Sequence, residues 1–228
     1  MDTPTKETKV YELIVEEIKN RISLGILKKG DKLPTERDLA EQLKLSRASI
    51  REAIRALEVI GLVECRQGAG NYIKESFEDS LFEPLSMMFI LEDSNTQDIL
   101  EIREALELQT VVQASKKITV GELKQLEKIL VDMKGCTSEV LNVQLDKKFH
   151  YTIAKASRNK IIINVLSVIS QLIDELIKDS REKILADEAN RVRLTKNHEL
   201  IYEALRDKDT AKAYNVMREH FRLIHENI

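Results

Sequence analysis

Apolar positions recur at helical spacing along most of the chain. Val10, Leu13, Ile14, Ile18 and Ile22 form the stripe of an amphipathic helix, and Gly25 is placed to end it. A short helix to about Leu43 is expected next, with Thr35 as its cap and Asp38 as the reciprocal acid of a capping box. Lys44-Leu45-Ser46 supplies a turn and a second cap. Ile50, Ala53, Ile54 and Leu57 then follow the i, i+3, i+4, i+7 pattern, and Gly61 terminates the helix. After it, Leu62 to Ile73 changes period into two strand-like pieces around Gly68 and Gly70, the signature of a hairpin. Two helices joined by a tight turn and followed by such a hairpin predict a winged helix-turn-helix.

Farther along, the character changes. All three prolines lie at or before Pro84, and of the seven glycines only Gly121 and Gly135 follow it. Helix interiors exclude proline and disfavour glycine, so this Leu-, Ile-, Glu- and Lys-rich stretch predicts consecutive helices. Their spans are about 78–92, 97–117, 120–134, 138–157, 160–186, 188–207 and 209–226, with Thr119 and Glu122 as a further capping box. The expected fold is mainly α: a winged helix-turn-helix with a small β hairpin over 1–75, a linker over 76–84, and an all-helical bundle over 85–228.

Composition narrows the function. With 228 residues, 43% of them hydrophobic, the chain is long enough for one large domain or for a small domain followed by a larger one. Lys and Arg total 36 against 39 Asp and Glu, a formal net charge of -3, so any basic surface must be local. Cys65 and Cys136 have neither metal-clip nor disulfide-framework spacing and are expected to be reduced thiols. The N-terminus shows no apolar signal region and no run of eighteen apolar residues occurs, which predicts a cytoplasmic protein without a membrane span.

The local basic surface is found on the second helix of the helix-turn-helix. Arg47, Arg51 and Arg55 are spaced by four and line one face opposite the apolar stripe, with Ser46 and Ser49 at its N-terminal end. Between Lys44 and Lys74 the six basic residues Lys44, Arg47, Arg51, Arg55, Arg66 and Lys74 meet only Glu52, Glu58 and Glu64. Arginine forks suit phosphate oxygens or the guanine edge, and a helix N-terminus favours an anionic phosphate. The run from Leu33 to Glu64, LPTERDLAEQLKLSRASIREAIRALEVIGLVE, together with RQGAGNYI from Arg66, resembles the winged-helix signature of the GntR family of bacterial regulators. That resemblance implies contact with double-stranded DNA by Arg37, by Ser46, Arg47, Ser49 and Arg51, and by Gln67 and Gly68 in the wing. Lys29 and Lys44 stand where the family often has proline and glycine.

All four histidines lie in the helical C-terminal part. Asp146 and His150, four residues apart, share a helix face, while His198 sits beside Ile201 and Leu205, and His220, beside Val216, Met217 and Leu223, is expected to point inward. His225, about 140° around the helix from His220, is expected on the surface. Three imidazoles and a carboxylate suit a divalent transition metal, with Zn, Ni, Mn, Co and Fe all open. The segments D146-K-K-F-H, H198-E-L-I-Y-E-A-L and M217-R-E-H-F resemble the FCD ligand-binding domain of the FadR-like branch of the same family. The resemblance implies a metal held by Asp146, His150, His198 and His220 inside a helical bundle, and a small carboxylate effector met by Arg103. Arg103 could instead make an exposed ion pair with Glu107 at i+4, worth only about 0.3–0.5 kcal/mol. The function so implied is a homodimeric regulator, a repressor of a catabolic operon with a pseudo-palindromic operator. The alternatives are a metal-dependent enzyme using the Asp/His centre and a regulator that senses the metal itself.

Overall fold

The computed structural model describes residues 9–92, 95–172, 184 and 186–227. Contacts divide the chain into two compact units, Met1–Leu81 and Phe82–Ile228.

In the first unit α1 (Val10–Ser23), α2 (Glu36–Leu43) and α3 (Arg47–Val59) precede β1 (Val63–Arg66) and β2 (Gly70–Ile73). The stripe expected on α3 forms, with Ile50, Ala53, Ile54 and Leu57 all buried against Ile14, Ile18 and Leu39. On α1 the stripe is rotated from expectation. Ile14, Val15 and Ile18 are buried, whereas Val10 and Leu13 are exposed, because α1 packs chiefly on α3 through a narrower face. The cap of α2 is half of the expected box: Thr35 Oγ1 accepts the Asp38 N–H at 3.2 Å, without the reciprocal bond from Asp38. Ser46 Oγ accepts the Ser49 N–H at 3.1 Å and starts α3. Lys44 closes α2 at φ 56°, a left-handed conformation that costs a residue with a Cβ about 1–2 kcal/mol, at a position where the resembled family often has glycine.

Strands β1 and β2 pair antiparallel with Val63 opposite Ile73 and Arg66 opposite Gly70, and Lys32 bridges Tyr72 on the other edge of β2. The turn from α3 into this wing depends on Gly61. Its N–H bonds Glu58 O and the Leu62 N–H bonds Leu57 O, the paired bonds of a glycine helix end. Gly61 has φ 74°, and a Cβ there would overlap the Ser80 side chain. Gly61→Ala is therefore expected to destabilise the N-terminal unit by about 1–3 kcal/mol, seen as a lower denaturation midpoint by circular dichroism. An unchanged midpoint would mean that the turn and Ser80 relax freely.

α4 (Glu78–Leu91) matches the helix expected over about 78–92 and runs through Pro84, near which the composition changes. Proline removes one i→i−4 bond, but helical turns on both sides carry α4 through it. The second unit then contains α5 (Thr96–Lys117), α6 (Val120–Gly135), α7 (Glu139–Ala156), α8 (Lys160–Leu172), α9 (Glu188–Arg206) and α10 (Thr210–His225). The part of the expected 160–186 helix beyond Leu172 lies outside the described residues, apart from Ile184 and Ala186. Thr119 and Glu122 make the expected reciprocal capping box on α6, and Asn95 with Asp98 makes another on α5. α5 packs against α7 and α10, α6 against α7 and α9, and α9 against α10. Their shared core includes Val111, Phe149, Ile153, Ile201, Met217 and Phe221. Among the described residues no helix is long and apolar enough to cross a membrane.

Candidate DNA interface and candidate metal centre

The arginines of α3 stand on its solvent side, beside the buried stripe. Arg47, Arg51 and Arg55 are exposed, and so are Arg37 on α2 and Gln67 and Gly68 at the tip of the wing. The Arg51 guanidinium reaches Glu36 at the start of α2, 3.2 Å away, which links the two helices of the motif across their solvent face. Ser46 is occupied as a cap, and its Oγ is also 2.9 Å from Ser49 Oγ, so the two hydroxyls mark the N-terminus of α3 together. In the wing, Gly68 holds φ 72° in the turn closed by the Ala69 N–H on Arg66 O. Arg66 itself lies over the Tyr72 ring, 4.3 Å from its centroid, and pairs with Glu64. These cations therefore gather on exposed backbone-rich features, the kind of surface that meets phosphate oxygens and base edges.

The acid and three of the histidines come together in the interior of the bundle. His150 on α7, His198 on α9 and His220 on α10 each present a ring nitrogen within 4.8 Å of the others. Their ring centroids are 4.8 to 5.6 Å apart. Asp146, one turn before His150, places Oδ1 3.2 Å from His198 Nε2 and Oδ2 4.0 Å from His150 Nε2. All four side chains are buried, His198 and His220 to 1% exposure. Phe149 and Phe221 wall the cluster with edge-on ring contacts to His150, His198 and His220.

Two details show what this donor set can hold. His150 Nε2 and His220 Nδ1 are buried with no hydrogen-bond partner among the described residues. An imidazole nitrogen without a partner in a dry interior is costly unless something accepts its lone pair. Burial, reinforced by the neighbouring His198 and His150, also pushes the His220 imidazole well below its ordinary pKa, although Asp146 opposes the shift. The ring is thus neutral, as a metal ligand must be. Nitrogen donors with one carboxylate suit a divalent transition metal, so the residues present fit the ion that the sequence implies.

Arg103 and Glu107 on α5 do not form the exposed pair weighed from sequence. Both residues are 3% exposed, because α5 turns this face toward α7 and α10. Arg103 Nε donates to Glu107 Oε1 at 2.6 Å, and Glu107 Oε2 is hydrogen-bonded to His150 Nδ1. Burial alone would raise the Glu107 carboxyl, but Arg103 and His150 outweigh it and hold the pKa down to about 2. Glu107 was not among the site residues expected from sequence. Its only signal there is the R-x-x-x-E spacing, which an ordinary surface pair shares. His225 is half-buried at the bundle's edge, with Nε2 2.8 Å from Glu104 and Nδ1 3.0 Å from Gln97.

A pocket of about 470 Å³ reaches His198 from the side of α6 and α9, and its wall includes Lys134, Arg191, Lys196 and Glu199.

Residues 10–73 match the bacterial regulatory proteins of the gntR family, and residues 98–223 match the FCD domain. The chain belongs to the GntR family. As a GntR-family protein with an FCD domain it is a DNA-binding transcriptional regulator, which sets aside the metal-dependent enzyme. It is 33% identical over 201 residues to the HTH-type transcriptional regulator LutR of Bacillus subtilis (strain 168), covering 87% of this chain and 92% of that protein. It is 31% identical to an Escherichia coli (strain K12) protein named as a candidate regulatory protein of the L-lactate dehydrogenase operon, covering 87% and 78%. Among solved structures it is similar to Streptococcus agalactiae GntR, with 30% identity, a TM-score of 0.72, and coverage of 96% of this chain and 100% of that one.

Proposed function

We propose that this GntR-family regulator is a homodimeric repressor of a catabolic operon, whose helical unit holds a divalent transition metal and binds a small hydroxy acid that alters operator affinity. The observation that carries the reading is the buried cluster of His150, His198 and His220 beside Asp146, with the nitrogens of His150 and His220 left for a ligand. Asp146, His150, His198 and His220 would hold the ion. When bound, the ion supplies positive charge and open positions for the carboxylate and hydroxyl oxygens of a hydroxy acid. Lys134, Arg191 and Lys196 line the pocket at His198 with Glu188 and Glu199, to which they are paired, and the one-charge positive excess favours an anion on its way in. A 2-hydroxy acid such as lactate is the first choice, since one relative is named for an L-lactate dehydrogenase operon.

In each winged helix, Arg37, Ser46, Arg47, Ser49 and Arg51 with Gln67 and Gly68 would meet the duplex. Two copies would present their α3 helices to successive major-groove faces of a pseudo-palindromic operator. The effector acts only through a difference in affinity for two arrangements of the regulator, because equal affinity shifts nothing.

The expected result is that L-lactate or a related hydroxy acid raises the melting temperature of metal-loaded protein but not of chelator-treated protein. At a hundred times its Kd the ligand would add about 2.7 kcal/mol to stability. The same acid should change operator affinity in an anisotropy titration. Operator affinity that follows the metal alone, whatever organic acid is present, would favour metal sensing instead.

A further inference from the structure

We propose that Glu107 positions His150 as a metal ligand: its carboxylate accepts the Nδ1 proton, aims the Nε2 lone pair at His198 and His220, and is itself held in place by Arg103. The inference rests on the metal reading of the centre, and it assigns Arg103 a task exerted through Glu107.

The geometry leaves little freedom. Glu107 Oε2 is bonded to His150 Nδ1, so the shared proton belongs on the ring, because a bare Nδ1 lone pair would face the carboxylate oxygen. With Nδ1 engaged by Glu107, Nε2 is the nitrogen left to offer a lone pair, and Nε2 is the atom buried without a hydrogen-bond partner among the described residues. The other Glu107 oxygen is taken by Arg103 Nε at 2.6 Å, so one oxygen is engaged by His150 of the cluster and the other by Arg103 outside it, and Glu107 is an orienting group. Arg103 is braced in turn, its guanidinium carbon 5.6 Å from the centroid of the Phe221 ring. Phe221 also makes the edge contact with His220, so one chain of contacts runs Phe221, Arg103, Glu107, His150 from α10 through α5 to α7. An acid-bound imidazole is also the more basic ligand, and such outer partners typically govern 10–100-fold in metal affinity.

The test uses the full chain. In metal-free, 15N-labelled wild type, long-range 1H–15N correlations are expected to show His150 protonated at Nδ1 and bare at Nε2. The opposite tautomer would overturn the assignment. Removing one member of a buried pair risks unfolding, so the variant is Arg103→Met with Glu107→Leu, which removes both charges. With its circular dichroism intact, this variant is expected to lose about 10–100-fold in Zn affinity, measured by competition with a chromophoric chelator, and to lose the Nδ1–H signature. Arg103→Met with Glu107→Gln, whose amide oxygen can still accept from Nδ1–H, should recover part of both. Wild-type protein that binds no metal would overturn the centre on which the inference rests. Undiminished Zn binding in the folded double variant would overturn the inference alone.

Discussion

Arg51→Ala is expected to weaken operator binding by a factor of between about 30 and 10⁴ while leaving the fold intact. An arginine that forks onto a base edge or a phosphate contributes about 1–3 kcal/mol, and in a dimer on a two-fold operator the loss is taken twice. Arg51 is the residue to choose because its surroundings separate binding from folding. Its side chain is 58% exposed, on the solvent side of α3 beside the buried Ile50, Ala53, Ile54 and Leu57, so truncation removes no core contact. Its partner in the free protein is Glu36 at 3.2 Å, an exposed pair of the kind usually worth about 0.2–1 kcal/mol. DNA phosphates can displace that pair, and its loss in the variant costs little stability. Anisotropy titrations at several salt concentrations would also separate two modes of contact. A phosphate contact reduces the salt slope by about one per arginine, whereas a base contact relaxes preference at one operator position. Wild-type affinity with an unchanged slope would remove α3 from the interface.

Periodicity made the winged helix legible to different depths. On α3 the four buried residues are those the 3.6 spacing names, because one side of this helix faces the core and the other faces solvent. On α1 the same reasoning placed Val10 and Leu13 inward and they are exposed, since an apolar side chain is free to remain on a surface. The candidate centre was harder. Asp146 and His150 share one turn of α7, but His198 and His220 come from α9 and α10, and no local spacing says that three helices bring them within 4.8 Å. A family resemblance supplied what periodicity could not. The R-x-x-x-E pattern of the resemblance includes Glu107 but gave it no role, because i, i+4 acid and base pairs are common on solvated helices. Only the packing of α5 on α7 and α10 makes this pair an interior one. Tertiary burial decides the role, and burial of charged residues is the property least visible in hydrophobic patterning.

His220→Leu is expected to reduce metal affinity by on the order of 10²–10³-fold and, in the metal-free protein, to raise stability. The first effect follows from the donor count. Apparent binding free energies for a closed nitrogen and sulfur set are about 10–16 kcal/mol, and one of the four groups here carries roughly a quarter of such a sum. The second effect follows from burial. His220 is 1% exposed, its Nδ1 lacks a partner among the described residues, and burial pushes the ring's pKa well down, so without a ligand the side chain is an unsatisfied polar group in the interior. Leucine is close in volume and can pack beside Phe221 and Met217, so replacing the ring removes an unsatisfied nitrogen and adds apolar contact. A gain of about 1–2 kcal/mol in the chelated protein is expected, reduced where the flat ring's shape is missed. A residue that only filled the core would give the reverse sign, because its removal destabilises whatever the metal content. Denaturation of both proteins with chelator, and then with Zn or Ni restored, distinguishes the two. The wild type should gain stability with metal and the variant should not. A chelated variant less stable than chelated wild type would show that His220 is held in place for packing, with a partner for Nδ1 other than an ion.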